Sequence, residues 1–131
     1  MGFPQNIRIL VVDDMATMRK IVKGLLAQLG YPNVEEAENG KEAFFKLKQG
    51  KYDLVLLDWN MPEMDGITLL QEIRKDPNLK SIPVIMVTAE AKKENVLQAI
   101  QAGANNYIVK PFTAEILKEK LDKVWQQISG G

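Results

Sequence analysis

The 131-residue chain contains neither cysteine nor histidine. Without cysteine it cannot form disulfides, thiolate nucleophiles or zinc–thiolate sites. Without histidine it cannot use a Ser-His-Asp or Cys-His catalytic arrangement or a histidine-ligated metal. Any chemistry must therefore depend on carboxylates, hydroxyls, lysines and metals that prefer oxygen ligands.

The chain also lacks net charge and long apolar runs. Its 17 basic residues balance its 17 acidic residues, so no overall field draws it to nucleic acid or to an anionic membrane. No stretch could span a membrane, and the first residues lack the basic and apolar regions of a secretory signal. We therefore expect a cytoplasmic protein with no nucleic-acid or membrane partner. The length and a hydrophobic content of 46% predict one domain, residues 1–131, with a core of about 7–128.

Short apolar runs alternate with stretches of helical spacing along the whole chain. The three strongest runs are Ile9–Val12, Leu54–Leu57 and Val84–Val87, and the two weaker ones are Asn33–Glu38 and Tyr107–Val109. Five strand–helix pairs in alternation predict an α/β fold with a parallel sheet and helices on both faces. Continuous apolar strands agree, because central parallel strands are buried on both sides.

Polar side chains follow four of these runs directly: Asp13-Asp14, Asp58, Thr88 and Lys110. The carboxyl ends of parallel strands meet at one edge of the sheet, so we expect these groups to converge there. Three close carboxylates favour a divalent cation, and Mg²⁺ prefers oxygen ligands. Capping of a helix by Asp14 alone, or a turn at Asp58, is the simpler alternative for each residue taken singly.

Asp58 is the best nucleophile candidate, because it stands alone after the most apolar run and a carboxylate can form an aspartyl phosphate. Lys110 and the Thr88 hydroxyl could then neutralise the phosphoryl oxygens. The alternatives are a solvated surface lysine and a hydroxyl bonded to its own backbone. Lys110-Pro111 is a candidate cis peptide, although X-Pro bonds are more often trans. Thr113 predicts the start of a last helix.

The order and spacing of five motifs resemble the receiver domain of two-component response regulators, and more narrowly its single-domain chemotaxis members. The motifs are Val11-Val12-Asp13-Asp14, Asp58-Trp59-Asn60-Met61-Pro62, Met64-Asp65-Gly66, Val87-Thr88-Ala89 and Lys110-Pro111-Phe112. The resemblance implies a flavodoxin-like (βα)5 fold with strand order 2-1-3-4-5.

The resemblance also implies roles for individual residues. Asp58 would accept a phosphoryl group from a chemotaxis histidine kinase or a small donor, and Lys110 would contact that group. The Mg²⁺ ligands would be Asp13, Asp14, Asp58 and the backbone carbonyl of Asn60. Thr88 and Tyr107 would form a switch pair, and Asn60 and Glu90 would tune dephosphorylation.

Output is expected through a protein contact on the domain itself, because the chain ends shortly after the last predicted helix. By resemblance, a flagellar motor switch protein would meet Lys92, Lys93, Val96, Ile100, Tyr107 and Lys120. From the residues alone, a simple solvated helix start with Val96 in the core is the better interpretation. We expect a monomer that acts as a phosphoacceptor with self-phosphorylation and autodephosphorylation, not as a turnover enzyme, with a dedicated phosphatase as a further partner.

Three other functions stay open on the sequence. The chain could serve a non-motility relay or act as a phosphate sink. It could instead be a Mg²⁺-dependent phosphohydrolase, although no substrate-binding insertion is evident. A flavodoxin-like cofactor binder is disfavoured, because Asp13-Asp14 stands where a phosphate-binding loop would follow the first strand.

Overall fold

The computed structural model describes residues 2–130, and their order is the predicted alternation of strands and helices. The strands are β1 (Ile9–Val12), β2 (Val34–Ala37), β3 (Leu54–Leu57), β4 (Val84–Thr88) and β5 (Asn106–Val109). The helices are α1 (Ala16–Gln28), α2 (Gly40–Gln49), α3 (Gly66–Lys75), α4 (Lys93–Gln101) and α5 (Ala114–Ser129).

The five strands form one parallel sheet in the order β2-β1-β3-β4-β5, which is the order that the resemblance implied. Val12 is in register with both Ala37 and Leu57, so the first three strands end at the same level. Thr88 is in register with Val109 at the ends of the last two strands. The residues that follow these strands therefore lie along one edge.

The sheet separates two apolar cores. On one face, side chains of α2, α3 and α4 pack against alternate strand residues such as Leu10, Val55 and Met86. On the other face, α1 and α5 pack against the intervening residues, among them Ile9 and Ile85. Every residue of β1, β3 and β4 is buried, so the edge that carries the polar residues has a rigid support.

Side-chain caps fix where three helices begin. Asn39 accepts a hydrogen bond from the Glu42 amide at 2.8 Å, and Asp65 accepts one from the Thr68 amide at 2.9 Å. The predicted cap at Thr113 is confirmed, since its hydroxyl accepts from the Ile116 amide at 3.2 Å. No helix among residues 2–130 combines the length and apolarity needed to cross a membrane.

Arg74, in the last turn of α3, ties together the loops at the amino edge of the sheet. Its guanidinium donates to the carbonyls of Gly103 (2.7 and 3.0 Å), Ile82 (2.7 Å) and Lys80 (3.2 Å). It also donates to Asn105 Oδ1 at 3.1 Å, an oxygen that accepts a second bond from the Val84 amide. The loops before β4 and before β5 are thus fastened to α3 at the edge opposite the candidate site.

Candidate functional site

Three carboxylates lie together at the carboxyl ends of β1 and β3. One oxygen each of Asp13, Asp14 and Asp58 lies within 4.8 Å of the others. The pairing of β1 with β3 brings them together, and the Asp58 amide donates to the Val12 carbonyl at 2.9 Å. Asp13 and Asp58 are only 3% and 7% exposed, whereas Asp14 faces solvent. This is the convergence that the spacing of the apolar runs predicts.

Local amides orient the two buried carboxylates toward Lys110. The Met15 amide donates to Asp13 Oδ1 at 2.9 Å, and the Trp59 amide donates to Asp58 Oδ1 at 2.8 Å. The other oxygens face Lys110 Nζ, at 2.7 Å for Asp13 Oδ2 and 3.5 Å for Asp58 Oδ2. Lys110 is therefore a partly buried partner of the acidic cluster rather than a solvated surface lysine. The Lys110–Pro111 peptide that follows is cis.

The charge of the cluster suits a hard divalent cation. Burial raises the pKa of Asp58, the Lys110 ammonium opposes that rise, and the nearby Asp13 charge adds to it. Three carboxylates against one ammonium leave excess negative charge at a site that is open on the Asp14 side. Oxygen donors with this excess charge fit Mg²⁺, which keeps several waters and binds through a few carboxylates.

Thr88 and Tyr107 lie on the adjacent strands β4 and β5. Thr88 is fully buried, and its Oγ1 accepts a long 3.4 Å contact from the Glu90 amide. Tyr107 is buried too, and its hydroxyl donates to the Glu90 carbonyl oxygen. Burial, with the charges of Glu90 and Asp58, raises the pKa of Tyr107 to about 12. The Glu90 backbone thus contacts both members of the predicted switch pair.

Asn60 and Glu90 meet at the rim of the site. Asn60 Nδ2 donates to Glu90 Oε1 at 2.9 Å, which links the loop after β3 to the loop after β4. The second oxygen, Oε2, accepts from Asn95 Nδ2 at 3.2 Å. Sequence reasoning missed Asn95, because only the path of the β4–α4 loop brings its amide to Glu90.

Arg19 is a second residue that sequence reasoning missed. Its Nη1 donates to the Asp13 carbonyl oxygen at 2.7 Å, and its Nε donates to Glu36 Oε1 at 2.9 Å. From its position in the first turn of α1, Arg19 thus fixes the backbone at Asp13. An arginine beside two lysines on an amphipathic helix gives no signal of this contact in the sequence.

Gly66 allows the loop after β3 to fold back against Asp58. Its amide donates to the Trp59 carbonyl at 2.8 Å. A Cβ at this position would lie 2.1 Å from the Asp58 carbonyl oxygen and 2.9 Å from the Trp59 Cα. Any larger residue would therefore push on the backbone that carries the candidate nucleophile.

Only some residues of the predicted partner surface are exposed to solvent. Lys92 and Lys93 are exposed at the start of α4, and Ile100 is 46% exposed farther along it. Val96 and Lys120 are half-buried, and Val96 packs against the core on the α4 face. Tyr107, which the resemblance puts on the same surface, is buried in this conformation.

The family model described as "Response regulator receiver domain" matches residues 9–122. The chain belongs to the response-regulator receiver family. This receiver is 56% identical to "Chemotaxis protein CheY-3" of Vibrio cholerae over 124 residues, which is 95% of each chain. It is 51% identical to "Chemotaxis protein CheY" of Pseudomonas aeruginosa over 123 residues, or 94% of this chain and 99% of the relative.

Solved structures agree with the family. The crystal structure of chemotaxis protein CheY4 of Vibrio cholerae, crystallised at low pH, superposes with a TM-score of 0.84 at 34% identity, covering 91% of this chain and 98% of that one. A Francisella response regulator receiver domain superposes with a TM-score of 0.83 at 31% identity, covering 94% and 99%. A receiver domain of this type fits a chemotaxis phosphorelay, and receivers are generally not turnover enzymes.

Proposed function

We propose that this receiver is a phosphorylation-driven binding switch in chemotaxis, in which Asp58 is the phosphoacceptor. The observation that carries the proposal is the buried pair Asp13 and Asp58 with Lys110 Nζ against both, beside the exposed Asp14. A carboxylate nucleophile, a positive clamp and an acidic metal pocket are the parts that phosphoryl transfer to an aspartate needs. The receiver unit would comprise residues 1–131, with its core at about 7–128.

Asp58 Oδ2 is the attacking atom, since Oδ1 already accepts from the Trp59 amide. A new P–O bond forms as the P–N bond of a kinase phosphohistidine breaks, and the released imidazole takes up a proton. Lys110 would then turn from the carboxylates to the phosphoryl oxygens, and the Thr88 hydroxyl would donate to them.

Asp13, Asp14 and Asp58 would hold Mg²⁺, together with the backbone carbonyl of Asn60. When bound, the ion would neutralise charge on the phosphoryl oxygens. Arg19 would keep the Asp13 backbone in place through its 2.7 Å bond to that carbonyl oxygen. Asn60 and Glu90 would tune hydrolysis, since both lie at the rim that water must cross.

Output would pass from Thr88 to Tyr107 and then to the α4–β5–α5 surface. Movement of Thr88 toward the phosphoryl group would change the space beside Tyr107, and the Glu90 backbone would follow because both residues contact it. The responding surface would include Lys92, Lys93, Val96, Ile100, Tyr107 and Lys120. Exposed Leu97 and Ile100, flanked by the two lysines, suit an acidic amphipathic segment of a flagellar motor switch protein.

Intact-protein mass after incubation with Mg²⁺ and acetyl phosphate tests the chemistry. We expect a labile gain of one phosphoryl group that is lost in Asp58→Asn and on removal of Mg²⁺. Asp53→Asn is the matched control, because Asp53 precedes the same strand at the opposite edge of the sheet. Failure of the wild type to gain a phosphoryl group while it binds Mg²⁺ would contradict the proposal, and steady turnover of a phosphomonoester would favour a phosphohydrolase.

A further inference from the structure

Two side-chain amides from different elements hold the carboxylate of Glu90. Asn60 Nδ2 donates to Oε1 at 2.9 Å, and Asn95 Nδ2 donates to Oε2 at 3.2 Å. A carboxylate accepts only, so both amides must present their nitrogen. Among residues 2–130, no lysine or arginine forms an ion pair with Glu90. Two amide donors, rather than a cation, therefore fix its direction.

Two of these three residues follow the reacting groups closely in the chain, and the third lies on α4. Asn60 follows Asp58 by two residues, and Glu90 follows Thr88 by two residues. Asn95 lies in the first turn of α4, and its backbone amide donates to the Lys92 carbonyl at 3.0 Å. The Asn60–Glu90 bond therefore bridges the loops after β3 and β4 directly outside Asp58 and Thr88, and Asn95 anchors that bridge to α4.

We infer that Asn95 is a positioning residue that acts through Glu90 to set the lifetime of the phosphorylated receiver, an inference that rests on the proposed function. Without the Asn95 amide, Glu90 keeps one hydrogen bond of two and regains side-chain freedom. The Asn60–Glu90 bridge then opens more often, and water reaches the phosphoryl group on Asp58 more easily. Asn95 itself touches none of the reacting groups.

The inference predicts faster loss of the phosphoryl group when Asn95 is replaced. The receiver is phosphorylated with acetyl phosphate, freed of donor, and followed by intact mass over time. We expect Asn95→Ala to shorten the lifetime on the order of fivefold, as the loss of one hydrogen bond implies. Asn95→Asp should shorten it at least as much, because a second carboxylate cannot donate to Glu90. Gln98→Ala is the matched control, being an exposed amide on the same helix.

A double substitution separates positioning from general loosening of α4. In a Glu90→Ala background, Asn95→Ala should cause no further change in lifetime, because its route of action is gone. Unchanged lifetime in Asn95→Ala, or an equal acceleration with and without Glu90, would overturn the inference. Failure of the wild type to take up the phosphoryl group would instead overturn the proposed function, and this inference with it.

Discussion

Replacement of Gly66 by alanine should disable the site while leaving the fold in place. The added Cβ would lie 2.1 Å from the Asp58 carbonyl oxygen, a distance that real Cβ atoms do not reach. The two atoms must move apart by about 0.9 Å to reach even 3.0 Å, and neither can rotate away, because the oxygen belongs to the backbone and the Cβ is fixed to it.

The displacement falls on the residue that carries the attacking carboxylate. A misplacement of about 1 Å can cost on the order of 100-fold in rate, so we expect phosphorylation of Gly66→Ala by acetyl phosphate to slow by about that factor. Overpacking should also lower the free energy of unfolding by about 1–3 kcal/mol. Mg²⁺ affinity should fall as well, because the same backbone shift moves a carboxylate of the acidic cluster.

Three measurements test these effects: the initial phosphorylation rate by intact mass, Mg²⁺ titration by tryptophan fluorescence, and urea unfolding. Gly24→Ala is the control: this exposed glycine of α1 has nothing within 4 Å of an added Cβ. It should stabilise the protein by about 1 kcal/mol and leave phosphorylation unchanged. A folded Gly66→Ala protein with the wild-type phosphorylation rate and Mg²⁺ affinity would refute the reasoning.

Two further predictions concern stability. Burial raises the pKa of all three tyrosines, that of Tyr107 to about 12, so the folded state holds their protons more tightly than the unfolded chain. The resulting stabilisation is complete below pH about 10 and is lost as the pH rises toward 12. Absorbance at 295 nm should therefore rise later in native than in denatured protein, and a native midpoint near 10 would contradict this. Arg74→Met should lower the free energy of unfolding, measured in urea, by about 2 kcal/mol, because half-buried carbonyl acceptors lose their hydrogen-bond donor. Lys75→Met is the control and should change the free energy of unfolding little, because Lys75 is exposed. Equal effects of the two substitutions would argue against the Arg74 network.

The sequence was most informative about features set by short-range pattern. Buried parallel strands must be apolar along their length, so runs such as Leu54–Leu57 locate the strands. The rule that parallel strands end together then brings Asp13 to Asp58. Strand order came from the resemblance instead, because neither periodicity nor composition specifies which strands are neighbours.

Contacts made by loops and long side chains could not be predicted. Glu90 and Asn95 are close in sequence, yet their contact depends on the path of the loop between them. Arg74 reaches Asn105 across 31 residues through a geometry that no local pattern encodes. Helical spacing likewise does not separate Val96, which is half-buried, from Ile100, which is exposed.

The Arg74 network has a consequence for how the amino-edge loops can vary between related proteins. Most of its acceptors are carbonyl oxygens of Lys80, Ile82 and Gly103, which every residue type provides. Side-chain identity matters chiefly at Asn105 and at Gly103, where φ is +109° and an added Cβ would lie 2.9 Å from Arg74 Nε. These loops can therefore accept many substitutions but few insertions or deletions, because a changed length would carry the carbonyls out of reach of the guanidinium.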